Sequence, residues 1–349
     1  MASTVTPLPS VTPPSKQQVL LQGLENTGEQ VFARIVAADY GFRVSNRWNR
    51  TAKNLADDIK STNSKFQNCT VDNLEKLVDR VIISADHHYT VYELSQGDAT
   101  QVRQALTAQI GQIPTNLYAQ TYPDLVDFNT VSSTTSGHYL CKVVDMGDGI
   151  ACIYASVVKD PVQGYRQTAG APMDTFQYFH TVFVPHNEDR IEVRVSHKAP
   201  AKYHEKHATS INNEFINIVG AQGVRFTPTL VNFFSCITSY FGDASVGRIA
   251  HAVLTTGQDS KDAELKSMRD KTYCARTQHV VDTRNNFNYV CRAILIRKPH
   301  IGKGSGEVSI YFFPHVNTWE ANSCWSMQIK KPQSSVALNS IITDAIARS

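Results

Sequence analysis

Tyr139-Leu-Cys-Lys-Val-Val144, then Asp145-Met-Gly-Asp-Gly149, then Ile150-Ala-Cys-Ile-Tyr-Ala-Ser-Val-Val158 is the stretch whose reading decides the fold. After an intervening loop follow Phe176-Gln-Tyr-Phe-His-Thr-Val-Phe-Val184, His186-Asn-Glu-Asp189 and Arg190-Ile-Glu-Val-Arg-Val-Ser196. Two runs rich in β-branched and aromatic residues, joined by a short polar segment, are a hairpin signal. The signal occurs twice in succession, so the stretch predicts a four-strand antiparallel meander.

Working outward, the segment before the meander is mostly helical in pattern. Leu20, Leu24, Val31, Ile35 and Ala38 recur at helical spacings, with Gly23 and Gly28 predicting a break near Asn26. Thr51 is a candidate cap for a helix over Ala52–Ile59. Val71-Asp72 opens another helix, with Leu74, Leu77, Val78 and Val81 on one face. Asp98 is a candidate cap for a third, through Val102, Leu106 and Ile110, stopped by Gly111 and Pro114. Residues 1–16 read as an extended Pro/Ser/Thr arm, 17–112 as a mainly helical region, 113–137 as an irregular linker and 138–349 as an α+β core.

Beyond the meander, His197–Lys206 reads as a polar loop leading to a helix with Ile211, Phe215, Ile218 and Val219 inward. Thr227-Pro228 predicts the start of a helix through Phe233, Ile237 and Tyr240. Strands are expected at Arg248–Thr255, Phe287–Arg297, Glu307–Pro314 and Ser326–Lys330, and a last amphipathic helix at Ser334–Ala347. The fold class is α+β: helices first, then a mixed, mainly antiparallel sheet carrying two or three helices.

Composition narrows the functional classes. The chain has 349 residues, 42% hydrophobic and only 19% charged, below the usual quarter. Such a surface repels its own copies weakly, which favours self-association. The N-terminus has neither a basic nor an apolar leader pattern, and no apolar run reaches the roughly 20 residues of a membrane span. A cytoplasmic protein, or a particle assembled there, is expected. The seven cysteines are odd in number, scattered and never at CxxC spacing, which fits buried free thiols.

The strongest anomaly is electrostatic. Between Lys266 and Lys303 stand nine Lys/Arg against two acids, a net +7 that leaves −4 for the rest of a chain whose total is +3. Lys271, Arg276, Arg284, Arg292, Arg297, Lys298 and Lys303, with Tyr273 and Tyr289 among them, are the candidate nucleic-acid-binding residues. Cations with interleaved aromatics suit a phosphate backbone and stackable bases.

Enzymatic signatures are weak. Gly302-Lys-Gly-Ser-Gly306 lacks the spacing and following helix of a phosphate-binding loop. His204-Glu-Lys-His207 is one residue short of a zinc-protease motif, and no metal or cofactor is assigned. Asp174, Glu188, Asp189 and Glu192, with Lys198, are the candidate acids and lysine for a metal-dependent nuclease, a scatter that is also common at hairpin ends. The reading is therefore a non-enzymatic, self-assembling, nucleic-acid-associated protein, of the coat or nucleocapsid kind made by a virus or mobile element. Its expected partners are its own copies and RNA or DNA. The alternative is a metal-dependent nuclease or other nucleic-acid-processing enzyme.

Overall fold

The computed structural model describes residues 14–131, 133–162, 172–255, 263–277, 290–300 and 306–349. The meander forms as β2 (Gly137–Asp145), β3 (Gly149–Pro161), β4 (Met173–Pro185) and β5 (Arg190–Ser196), joined in that order by antiparallel ladders. Ile150 pairs with Val184, Tyr154 with His180 and Val158 with Phe176. Every residue of β3 from Gly149 to Val158 is buried. That burial accounts for the unbroken apolar run in the sequence, because helices cover both faces of the strand.

On one face, Ala151, Ile153 and Phe183 pack with the N-terminal helices α1 (Lys16–Thr27), α2 (Gln30–Val36), α3 (Trp48–Lys60) and α4 (Val71–Ser84). On the other, Ile150, Cys152, Tyr154, Val182 and Val184 pack with α5 (Gln96–Thr107) and α7 (His204–Gly220). α6 (Leu117–Thr121) lies against β2, with Tyr118 stacked on Tyr139 at 4.5 Å between ring centres.

Local chemistry sets several helix ends. Ser15 and Gln18 form a reciprocal capping box at α1, and Gly28, at φ +60°, turns the chain between α1 and α2. Thr70 caps α4. Two expected starts are displaced. α3 begins at Trp48, and Thr51 is buried inside it, its hydroxyl exchanging hydrogen bonds with the Ser45 backbone. α5 is capped by Ser95, with Asp98 in its first turn, where a carboxylate suits the helix dipole.

The centre of the sheet was not legible as such. β1 (His87–Glu93) arises in the mainly helical segment and pairs with β5 on one side and β11 (Met327–Lys330) on the other. It continues the meander into a second antiparallel half made of β11, β10 (Glu307–Phe312), β9 (Val290–Pro299), β7 (Arg248–Thr255) and β8 (Ala263–Lys266). All of the described ladders are antiparallel, so the architecture is α+β around one eleven-stranded sheet.

α8 (Phe234–Gly242) and the C-terminal helix (Ser335–Ala347) cover the second half, and Tyr240, Ile294, Ile296, Ile310, Phe312 and Ile342 share its core. The helix expected from Thr227 starts later. Thr229 and Leu230 instead form the two-residue strand β6 against Tyr92 and Glu93. Asn232 Oδ1 then accepts from both Phe234 N–H and Cys324 N–H, which sets the start of α8. Among the described residues, no helix is long and apolar enough to cross a membrane.

Candidate functional site

The predicted basic strip does not form one continuous surface among the described residues. Arg276 donates to the carbonyls of Tyr240, Phe241 and Gly247, where it satisfies the end of α8. Arg297 reaches the Met268 carbonyl at 3.2 Å and Glu307 at 3.3 Å, while Glu307 is held bidentately by Arg248 at 3.0 Å. Lys298 lies 3.7 Å from Asp344 on the C-terminal helix. Arg292 is half-buried on β9, and Tyr273 packs against the second-half core. Lys271 and Arg269, in the segment that follows β8, are exposed, as is Lys266 at the end of β8, which lies 3.3 Å from Glu264. Arg284, Tyr289 and Lys303 lie outside the described residues, as does most of the Gly302–Gly306 turn.

The acids proposed for a nuclease are dispersed. Asp174 stands opposite Asp160 across the β3–β4 ladder. Asp189 is held by Arg103 at 3.1 Å. Glu192 is fully buried between two arginines, 2.8 Å from Arg190 Nε and 2.6 Å from Arg194 Nη2. Arg190 also donates to Thr343 and Asn339, and Arg194 to the Ile83 carbonyl, with its guanidinium over the Phe183 ring at 4.0 Å. This ladder of three charges on β5 closes the seam between α4 and the C-terminal helix. A carboxylate so engaged is not available to a metal.

His204 and His207 lie in helix α7, not in a loop, and both join aromatic clusters. His204 packs against His88 with ring centres 3.8 Å apart and the planes tilted by 38°. His207 receives a hydrogen bond from His180 at 2.9 Å, and His138 packs edge-on to it at 5.1 Å. The Ser196 N–H donates to His180 Nδ1, so the His180 proton sits on Nε2 and points at His207 Nδ1. Burial holds His180 well below the ordinary imidazole range and lowers His138 and His207 to about 4.

A different constellation assembles at the joint between the helical layer and the sheet. Glu29 precedes α2, Asp86 lies between α4 and β1, and His197 follows β5. One ligand atom from each lies within 4.8 Å of the others. His197 Nδ1 is 3.4 Å from Glu29 Oε1 and 3.2 Å from the Asp86 carbonyl. Asp86 Oδ1 accepts from the Lys331 N–H at 2.7 Å, which fixes its rotamer. Burial, reinforced by the Asp86 charge and opposed by Lys198 and Lys330, raises Glu29 to about 7.

Glu29 and Asp86 also line a cavity of about 60 Å³ that continues past Ser196 and Lys198 to Gln177. Gln177 is 8% exposed, and its Oε1 accepts from Val126 N–H at 3.0 Å, whereas its buried Nε2 has no hydrogen-bond partner. Sequence reading missed this group because its members are far apart in the chain and match no local motif.

At the β2 edge of the sheet lies an open apolar cleft of about 530 Å³. Pro14, Val19 and Leu20 form one wall, Ile110 and Ile113 another, and Cys141–Val144 of β2 the floor. Ile113 is 76% exposed. Lys142 anchors this floor to α4 through Glu75 at 2.6 Å and Asp79 at 2.7 Å. No protein-family model matches the chain, and no curated protein matches it either.

Proposed function

We propose that this chain is a non-enzymatic structural protein that assembles with copies of itself, in the manner of a coat or nucleocapsid protein of a virus or mobile element. The observation that carries this reading is the apolar cleft beside edge strand β2. An edge strand presents backbone groups to a partner strand, and exposed aliphatics beside it gain by being covered. The occupant is a second copy of this chain, whose low charge density opposes association only weakly. The floor is braced by the Lys142–Glu75–Asp79 contacts, so the surface is formed before the partner arrives.

Association with RNA or DNA belongs to the same reading. Its support is the exposed basic segment Lys266, Arg269 and Lys271, next to β8 at the opposite end of the sheet. Arg269 and Lys271 make no ion pair with the described residues, so their charge is available to a polyanion. The assembled particle forms in the cytoplasm.

The test is to replace Ile110 and Ile113 by lysine. Both lie in the exposed wall of the cleft, so the fold is expected to tolerate the change, with the thermal midpoint within a few degrees of the parent. The sedimentation profile is expected to shift to the smallest species. Persistence of the large species in the folded double variant would remove the β2 cleft as the assembly surface.

A further inference from the structure

We propose that Glu29, Asp86 and His197 form a binding site for a first-row divalent cation of the Zn²⁺ or Mn²⁺ type. Two carboxylates and one imidazole on three separate elements offer the donor set that such ions take. An all-oxygen ion such as Mg²⁺ or Ca²⁺ gains less from the imidazole. The three ligand atoms already lie within 4.8 Å of one another, so an ion between them needs only small side-chain adjustments.

The surroundings supply what a metal site needs beyond its ligands. The Lys331 N–H on Asp86 Oδ1 orients one carboxylate. The adjoining 60 Å³ cavity has room for water on the open side of the ion. Gln177 Nε2 is a buried donor without a partner in that cavity wall, and a cavity water that accepts from it could link it to the water on the ion. Lys198 and Lys330 lie close enough to influence Glu29. Their charge opposes a cation, so the affinity expected is moderate.

The role that follows from the placement is structural. The ion would tie the start of α2 to the α4–β1 connection and to the end of β5, and so pin the helical layer to the centre of the sheet. Because metal binds the folded state, it raises stability by mass action. This inference does not depend on the assembly reading.

The experiment uses the full chain stripped with a chelator and titrated with ZnCl₂, MnCl₂ or MgCl₂ in a calorimeter. One-to-one binding of Zn²⁺ or Mn²⁺ is expected, at least tenfold tighter than Mg²⁺. Glu29→Gln and His197→Gln are each expected to weaken it tenfold or more. His186→Gln, which removes an exposed imidazole paired with Asp145, is expected to leave it unchanged. Thermal melting of the wild type with and without Zn²⁺ keeps the question decidable if a variant fails to fold. A rise in the midpoint with Zn²⁺ but not Mg²⁺ supports the site. No saturable binding to the wild type, or binding that survives both substitutions, overturns it.

Discussion

Arg190 Nη1 donates to the Thr343 hydroxyl at 3.0 Å, joining the last strand of the meander to the C-terminal helix across 153 residues of sequence. The same guanidinium holds Glu192, which in turn holds Arg194. Both arginine side chains and the glutamate are almost wholly buried.

Breaking such a ladder leaves charge stranded in the core. Glu192→Ala is expected to cost about 3–5 kcal/mol, because two buried arginines lose their counter-ion. Arg190→Ala is expected to cost a similar amount and to release the C-terminal helix, read as faster amide exchange over Ser335–Ala347. Urea unfolding gives the stability change. A loss below about 1 kcal/mol in both variants would show that solvent reaches the ladder.

Acid is expected to destabilise the protein through its histidines. His138 and His207 drop to about 4 in the folded state from 6.5. Above 6.5 both the folded and unfolded forms are neutral and contribute no difference. As pH falls below 6.5 the unfolded chain takes up protons that the folded chain refuses, so stability declines until about pH 4. Each such histidine steepens the decline by up to about 1.4 kcal/mol per pH unit, less where solvent screens it. His138→Asn is therefore expected to flatten the stability profile between pH 4 and 6.5, and an unchanged slope would contradict the assignment.

Two groups of cations should separate in their effects. Arg276→Ala removes three carbonyl contacts at the end of α8 and is expected to lower the thermal midpoint, with little change in polyanion binding. Arg269→Ala with Lys271→Ala is expected to leave stability within about 0.5 kcal/mol, since both are exposed. The paired substitution should weaken binding to single-stranded RNA or DNA and reduce the salt slope by about two. The reverse pattern would place the contact surface elsewhere.

The meander was legible because its runs of β-branched and aromatic residues are separated by polar segments; the register of β3 with β4 was not. β1 was not, because in His-His-Tyr-Thr-Val-Tyr-Glu only Tyr89 and Val91 mark an apolar face, too short a signal inside a helical region; pairing on both sides makes it a central strand. The expected helix starts failed where another group took over: Thr51 bonds to the Ser45 backbone inside α3, and Asn232 rather than Thr227-Pro228 sets the start of α8. Charge counting found a basic region but not its use, since whether an arginine faces solvent or a helix end depends on distant carbonyls. The Glu29–Asp86–His197 group exists only in three dimensions.

The most direct measurement is the molar mass of the purified protein by light scattering, with absorbance at 260 and 280 nm recorded across the same peak. A large homogeneous species is expected, many times the 38.8 kDa chain, with an absorbance ratio raised by bound nucleic acid. A clean monomer or dimer with a protein-only ratio would contradict it.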